Sequence, residues 1–175
     1  LIMRHLLLAA AVALGTATAA QAALPIYGSP GNVNPADYAF TAAADGDIIA
    51  YFAGHTAGYT NFLRLEVNGV DTGLEGLNNQ VTALGTSFNF GPVQAGDQLV
   101  FKIRVSNTGE FFYSKRSLNP DGITHIFSSA YAGGDFGIPA GTYVGFEDLN
   151  GGGDKDYDDL RFVFIASKAK VVKSG

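Results

Sequence analysis

The sequence predicts an all-β protein, an antiparallel β-sandwich or jelly roll, and three observations carry that prediction. Twenty-three glycines accompany 13 Phe and 8 Tyr, while charged residues make up only 15% of the chain, a composition suited to short strands joined by tight turns. Turn signals recur roughly every ten residues, the spacing of a sandwich. Beyond residue 22, no segment carries the i, i+3, i+4, i+7 apolar stripe of an amphipathic helix.

Residues 1–22 read as a secretory signal peptide. Met3-Arg4-His5 supply a basic start, residues 6–20 an apolar and small-residue run, and Ala20-Gln21-Ala22 a small-x-small cleavage site. The run is too short and Ala-rich to span a bilayer comfortably. Cleavage is expected after Ala22, with a secreted or cell-surface location and no membrane span in the mature chain. Residues 23–36, with Pro25, Pro30, Gly31 and Pro35, read as an extended arm able to lie along a sheet edge. The sandwich is expected over residues 37–167, followed by a solvated basic tail at 168–175 carrying Lys168, Lys170 and Lys173.

Within the sandwich, residues 47–52 (DIIAYF) form a nearly continuous apolar run, consistent with a buried strand. Leu63, Leu65 and Val67 share one face of the next strand, and Arg64 and Glu66 the other. Asn68-Gly69 then favours a type I′ turn, because both central residues need φ > 0, and residues 70–74 return as the second strand. Leu99, Phe101, Ile103 and Val105 alternate with Lys102 and Arg104 in another period-2 strand. Further candidates lie at residues 81–90, 109–113, 123–128, 142–146 and 160–166.

The net charge of −5 disfavours nucleic acid and anionic membrane as partners. Cysteine is absent, so stability must come from the core, a metal or assembly. The metal is the option most directly supported. Glu147, Asp148, Asp154, Asp156, Asp158 and Asp159 place six of the chain's 16 carboxylates within thirteen residues, offset only by Lys155. Two carboxylates 4 Å apart repel by about 4 kcal/mol at an effective dielectric near 20. A calcium ion reverses that sign, because it accepts roughly 6–8 oxygens in irregular geometry. Zinc would seek His or Cys, and neither is near. Gly151-Gly152-Gly153 lets the backbone turn sharply, and Asp154, Asp156 and Asp158 have the Asp-x-Asp-x-Asp spacing that brings alternate carboxylates to one ion. The loop is not an EF-hand, since Asp159 stands where the turn glycine belongs and Ile165 where the bidentate Glu belongs.

The run Gly-Phe-Glu-Asp-Leu…Gly-Gly-Asp-Lys-Asp-Tyr-Asp-Asp-Leu-Arg-Phe over residues 145–162 resembles the signature of the family called domain of unknown function 4114. Residues 51–69 are similar to that family's first half, so the resemblance extends over 45–166. It implies a β-sandwich in a secreted or surface bacterial protein, with calcium held through Glu147, Asp148, Asp154, Asp156, Asp158 and Asp159. It implies no enzymatic activity, the family having no established one. Unlike members with a Pro-Glu-Pro sorting motif, this sequence reads Lys173-Ser174-Gly175 at that point.

No Gly-x-Ser-x-Gly elbow, His-Glu-x-x-His or phosphate loop is present, and an acid-flanked glycine run repels phosphate. Crowding on one loop suits metal ligands better than the facing carboxylates of a glycosidase. His55 and His125 lack partners at a catalytic or metal spacing, which favours surface or packing roles. The chain is therefore expected not to be an enzyme. It is expected to be an extracellular structural or adhesive protein, self-associating through a sheet edge and the arm into a surface layer, matrix or filament. A calcium-dependent carbohydrate-binding module is the alternative, with glycan as the partner.

Overall fold

The computed structural model describes residues 23–172; the signal-peptide reading of residues 1–22 lies outside the described residues. Eleven strands follow one another: β1 (Asp37–Ala42), β2 (Gly46–His55), β3 (Asn61–Val67), β4 (Val70–Gly76), β5 (Ser87–Val93), β6 (Gln98–Val105), β7 (Phe111–Tyr113), β8 (Ile126–Tyr131), β9 (Gly141–Phe146), β10 (Leu160–Ile165) and β11 (Ser167–Val172). One sheet has the order β11-β1-β6-β3-β4, with β7 also on β6; the other runs β5-β2-β10-β9-β8. Every pairing is antiparallel. This is the all-β sandwich that the alternating strands predict.

Alternation fills the space between the sheets. Phe40, Leu63, Leu65, Phe101 and Ile103 from the first sheet meet Ile48, Phe52, Val144, Phe162 and Phe164 from the second. Phe101 and Phe164 stack across the gap with ring centroids 3.6 Å apart. The second sheet is covered on its outer face as well, where Ala53, Tyr131, Ile138, Tyr143 and Val163 form a second apolar cluster against Leu24, Tyr51 and Phe127. A strand buried on both faces has no reason to alternate, which explains the continuous apolar run at residues 47–52. The first sheet's outer face is instead an ion-pair ladder. Lys102 bridges Glu66 and Asp71 at 2.5 and 2.7 Å, Arg64 joins Asp71 and Glu75, and Arg104 pairs with Glu75.

The β3–β4 hairpin turns as expected, with φ of 51° at Asn68 and 80° at Gly69. Three expectations shift. The strand expected at 81–90 starts only at Ser87, because Asn78 turns the chain by accepting bonds from the N–H groups of Val81 and Thr82. The strand expected at 123–128 runs instead from Ile126 to Tyr131. The solvated basic tail expected at 168–175 is a strand through Val172. β11 pairs along β1 from Ala42↔Ser167 to Asp37↔Val172, although most of its side chains face water. Solvent-exposed lysines on an edge strand protect that edge rather than forbid it.

Residues 23–36 form no strand. They lie against the second sheet's outer face, with the Tyr27 ring 4.8 Å from Tyr157 and 5.5 Å from Phe127. Among the described residues, no helix is long and apolar enough to cross a membrane.

Candidate metal centre

The acidic loop joins the central strands β9 and β10. Its entry is fixed by Glu147, whose N–H donates to the His125 carbonyl at 2.9 Å and whose carbonyl accepts from His125 Nδ1 at 3.2 Å. Asp121 supports the far side, its Oδ2 accepting from Gly151 N–H and lying 2.8 Å from His125 Nε2. Between these props the backbone visits positive φ at Gly151, Gly152, Gly153, Lys155 and Tyr157. The two non-glycine residues there hold a conformation disfavoured for side chains bearing a Cβ, of a kind that persists where surrounding structure fixes it.

Tyr157 is a large part of that surrounding structure. Its ring is buried, and its hydroxyl accepts from Asn34 N–H at 2.7 Å and donates to the Thr124 carbonyl. Asn34 is itself buried, donating to the Ile126 carbonyl and the Tyr38 hydroxyl. Gly31 N–H reaches the carbonyls of Asp154 and Lys155. The arm is thus stitched to the loop. Gly145 permits a second close approach, because a Cβ there would collide with the Tyr157 carbonyl oxygen.

Folding sorts the six predicted carboxylates into different surroundings. Glu147, Asp154 and Asp156 each present an oxygen within 4.8 Å of the others, an arrangement that could hold a metal ion. Glu147 is shut off from water, Asp156 half-buried and Asp154 exposed, so the cluster opens to solvent on the Asp154 side. Glu147 Oε1 accepts from Tyr157 N–H at 2.6 Å, whereas the buried Oε2 has no hydrogen-bond partner. An orphaned buried carboxylate oxygen is costly, and an all-oxygen set of this kind suits a hard cation. A Cβ on Gly153 would stand 2.9 Å from that oxygen, so the glycine keeps the approach clear.

Asp148 and Asp159 form a pair facing Gly58, Tyr59 and Leu149. Asp148 N–H donates to Asp159 Oδ2, and Asn61 Nδ2 donates to Asp148 Oδ2 at 2.6 Å. Asp158 accepts from the Thr56 hydroxyl at 2.5 Å. Burial above all, then the charges of Asp159, Asp154 and Asp156, pushes the Glu147 carboxyl up to about 8. Burial and neighbouring Asp148 push Asp159 up to about 7. Asp156 is also raised, by burial and then by Asp158 and Asp154.

Asn34, Asn61, Asp121 and Tyr157 are the site residues that the sequence did not disclose. Three of them lie far from the loop in the chain, and only the lone aromatic inside an acidic run marks Tyr157 as an anchor. His125 has the packing role expected, stacked on Phe112 at 4.3 Å.

No curated protein and no solved structure matches the chain. A family model described as Domain of unknown function (DUF4114) matches residues 83–166, which take in β5 to β10 and the whole acidic loop. The stretch 45–82 lies outside that match, yet supplies β2, β3, β4 and Asn61. Residues 83–166 of this chain belong to the DUF4114 family.

Proposed function

We propose that the chain is an extracellular, calcium-stabilised β-sandwich with a structural or adhesive role, and not an enzyme. The observation that carries the reading is Glu147 Oε2, buried and without a partner beside Asp154 and Asp156. Glu147, Asp154 and Asp156 would hold the ion, with loop carbonyls and water completing a shell of roughly 6–8 oxygens. Bound there, the ion neutralises carboxylates that otherwise repel one another and fixes the loop between two central strands. Secretion rests on the signal-peptide pattern of residues 1–22. Assembly into a surface layer, matrix or filament rests on the sheet edges β4, β5, β8 and β11 and on an arm whose contacts with the loop could form between copies.

Thermal unfolding in calcium, magnesium and EDTA tests the metal. An ion that binds only the folded chain adds about 2.7 kcal/mol at 100 times its Kd, so calcium is expected to raise Tm clearly and magnesium to do so less. An unchanged Tm, with no calcium found by elemental analysis, removes the calcium reading. Sedimentation of a chain lacking residues 24–35 tests the arm, and an unaltered oligomeric state removes arm exchange.

A further inference from the structure

Arg161 is unlike the other arginines of the described residues. Arg64 and Arg104 are ion-paired and Arg116 donates to the Gly122 carbonyl. The Arg161 side chain makes no hydrogen bond or ion pair with the described residues, and its Nε, like that of the ion-paired Arg64, is buried without a partner. The fold nonetheless makes room for it. The β2–β10 register shifts between Arg161 and Phe162, and such a bulge re-aims a side chain. Opposite stands Gly54, at φ 127°, where a Cβ would lie 2.8 Å from Arg161 Nη2.

The guanidinium lines a cleft of about 220 Å³ on the outer face of the second sheet, beneath the arm. Tyr143, Asp156 and Asp158 line it with Arg161, and Tyr27 and Pro25 from the arm close it. Tyr143 is almost wholly buried, and among the described residues its hydroxyl makes no hydrogen bond, the Ser128 hydroxyl bonding only its backbone carbonyl. Asp158 engages Thr56 through Oδ1 and lines the cleft beside Asp156. Donors and acceptors therefore converge on a small space walled by an aromatic ring and a proline.

Charge narrows the occupant. With Asp156 turned to the proposed ion, Asp158 disfavours an anion beside Arg161, and the guanidinium disfavours a cation beside Asp158. A neutral ligand that both donates and accepts satisfies the set. Adjacent hydroxyls of a sugar ring both donate and accept, while the ring's C–H face packs on Tyr27 and Pro25, which line the same cleft. The volume lies below the roughly 300–1,000 Å³ typical of drug-sized sites, which limits the occupant to about one ring. We propose that this cleft binds a single neutral pyranose unit of a glycan, with Arg161 and Tyr143 as donors and Asp158 as acceptor. The sugar is held by protein groups and not by a metal ion, so the site goes beyond the calcium-binding reading.

Saturation-transfer NMR in calcium buffer tests it, using the methyl glycosides of glucose, galactose, mannose and N-acetylglucosamine, with sodium glucuronate and acetyl-diglycine amide as further probes. At least one methyl glycoside is expected to receive saturation. Arg161→Met should weaken that binding at least tenfold and Tyr143→Phe several-fold, with Tm close to that of the parent chain. Tyr143→Phe removes one oxygen atom and carries the test alone if Arg161→Met fails to fold. The proposal is overturned if no methyl glycoside is saturated, or if glucuronate or the peptide binds instead. It is equally overturned if the variants bind as the parent does, the outcome for a sugar held through an ion.

Discussion

A carboxylate closed off from water, as Glu147 is, is tolerated either protonated or beside a cation. Without an ion its carboxyl stands near 8, against an ordinary value of 4.5. Between those values the folded chain binds more protons than the unfolded one, so the contribution is fully present below about pH 4.5 and is lost as pH rises through 8. Asp159, raised from 3.8 to about 7, acts in the same sense. In EDTA, Tm is therefore expected to fall between about pH 5 and 8. In calcium the fall should shrink or reverse, because ligands must be ionised to bind. Glu147→Gln keeps an acceptor for Tyr157 N–H and removes the charge. Its Tm in EDTA at pH 8 should exceed the parent's, and the calcium response should vanish; a variant that keeps the full calcium shift shows that Glu147 is no ligand. Gly153→Ala should blunt the same response by crowding Oε2. At this scale the sequence disclosed charge density but not its division. Asp148 pairs with Asp159 through its N–H and with Asn61, 87 residues upstream, through its carboxylate, and no local spacing encodes such contacts.

Strands were legible where one face is wet. β3 and β6 alternate because their outer residues form the ion-pair ladder, and the turn between β3 and β4 is written in Asn68-Gly69. β1 escaped notice although Tyr38, Phe40 and Ala42 are buried, since Ala39 blurs the alternation. β11 escaped because its stability comes from backbone pairing with β1 and scarcely from its side chains. Two substitutions separate these sources of strand stability. Phe164→Ala, which removes a ring stacked on Phe101 across the sandwich, should cost about 3–5 kcal/mol in urea unfolding. Lys102→Met leaves Glu66 and Asp71 without their shared cation. It should cost about 2 kcal/mol, less than a fully buried pair, because both acids keep contact with water.

The whole molecule joins elements distant in sequence at one place. The arm, the segment leading into β8 and the acidic loop meet around Tyr157 and Asn34. An ion that ordered the loop would therefore also order the arm. Limited proteolysis within residues 25–33 is expected to be slower in calcium than in EDTA, and equal rates would show the two to be uncoupled. Asn34→Ala removes two buried donor bonds and should lower stability by about 1–3 kcal/mol, with faster cleavage in the arm.

The β1–β11 register has a mechanical consequence. Asp37 stands opposite Val172, so opposing tension applied at those two points opens the pair one rung at a time instead of shearing all its bonds together. Tension entering from Ala23 meets the stitched arm first, at Gly31 and Asn34. In a pulling experiment from residues 23 and 172, calcium is thus expected to raise the first rupture force and leave the later peeling of β1 from β11 unchanged. An ion bound between β9 and β10 would then act as a catch on a seam it does not touch.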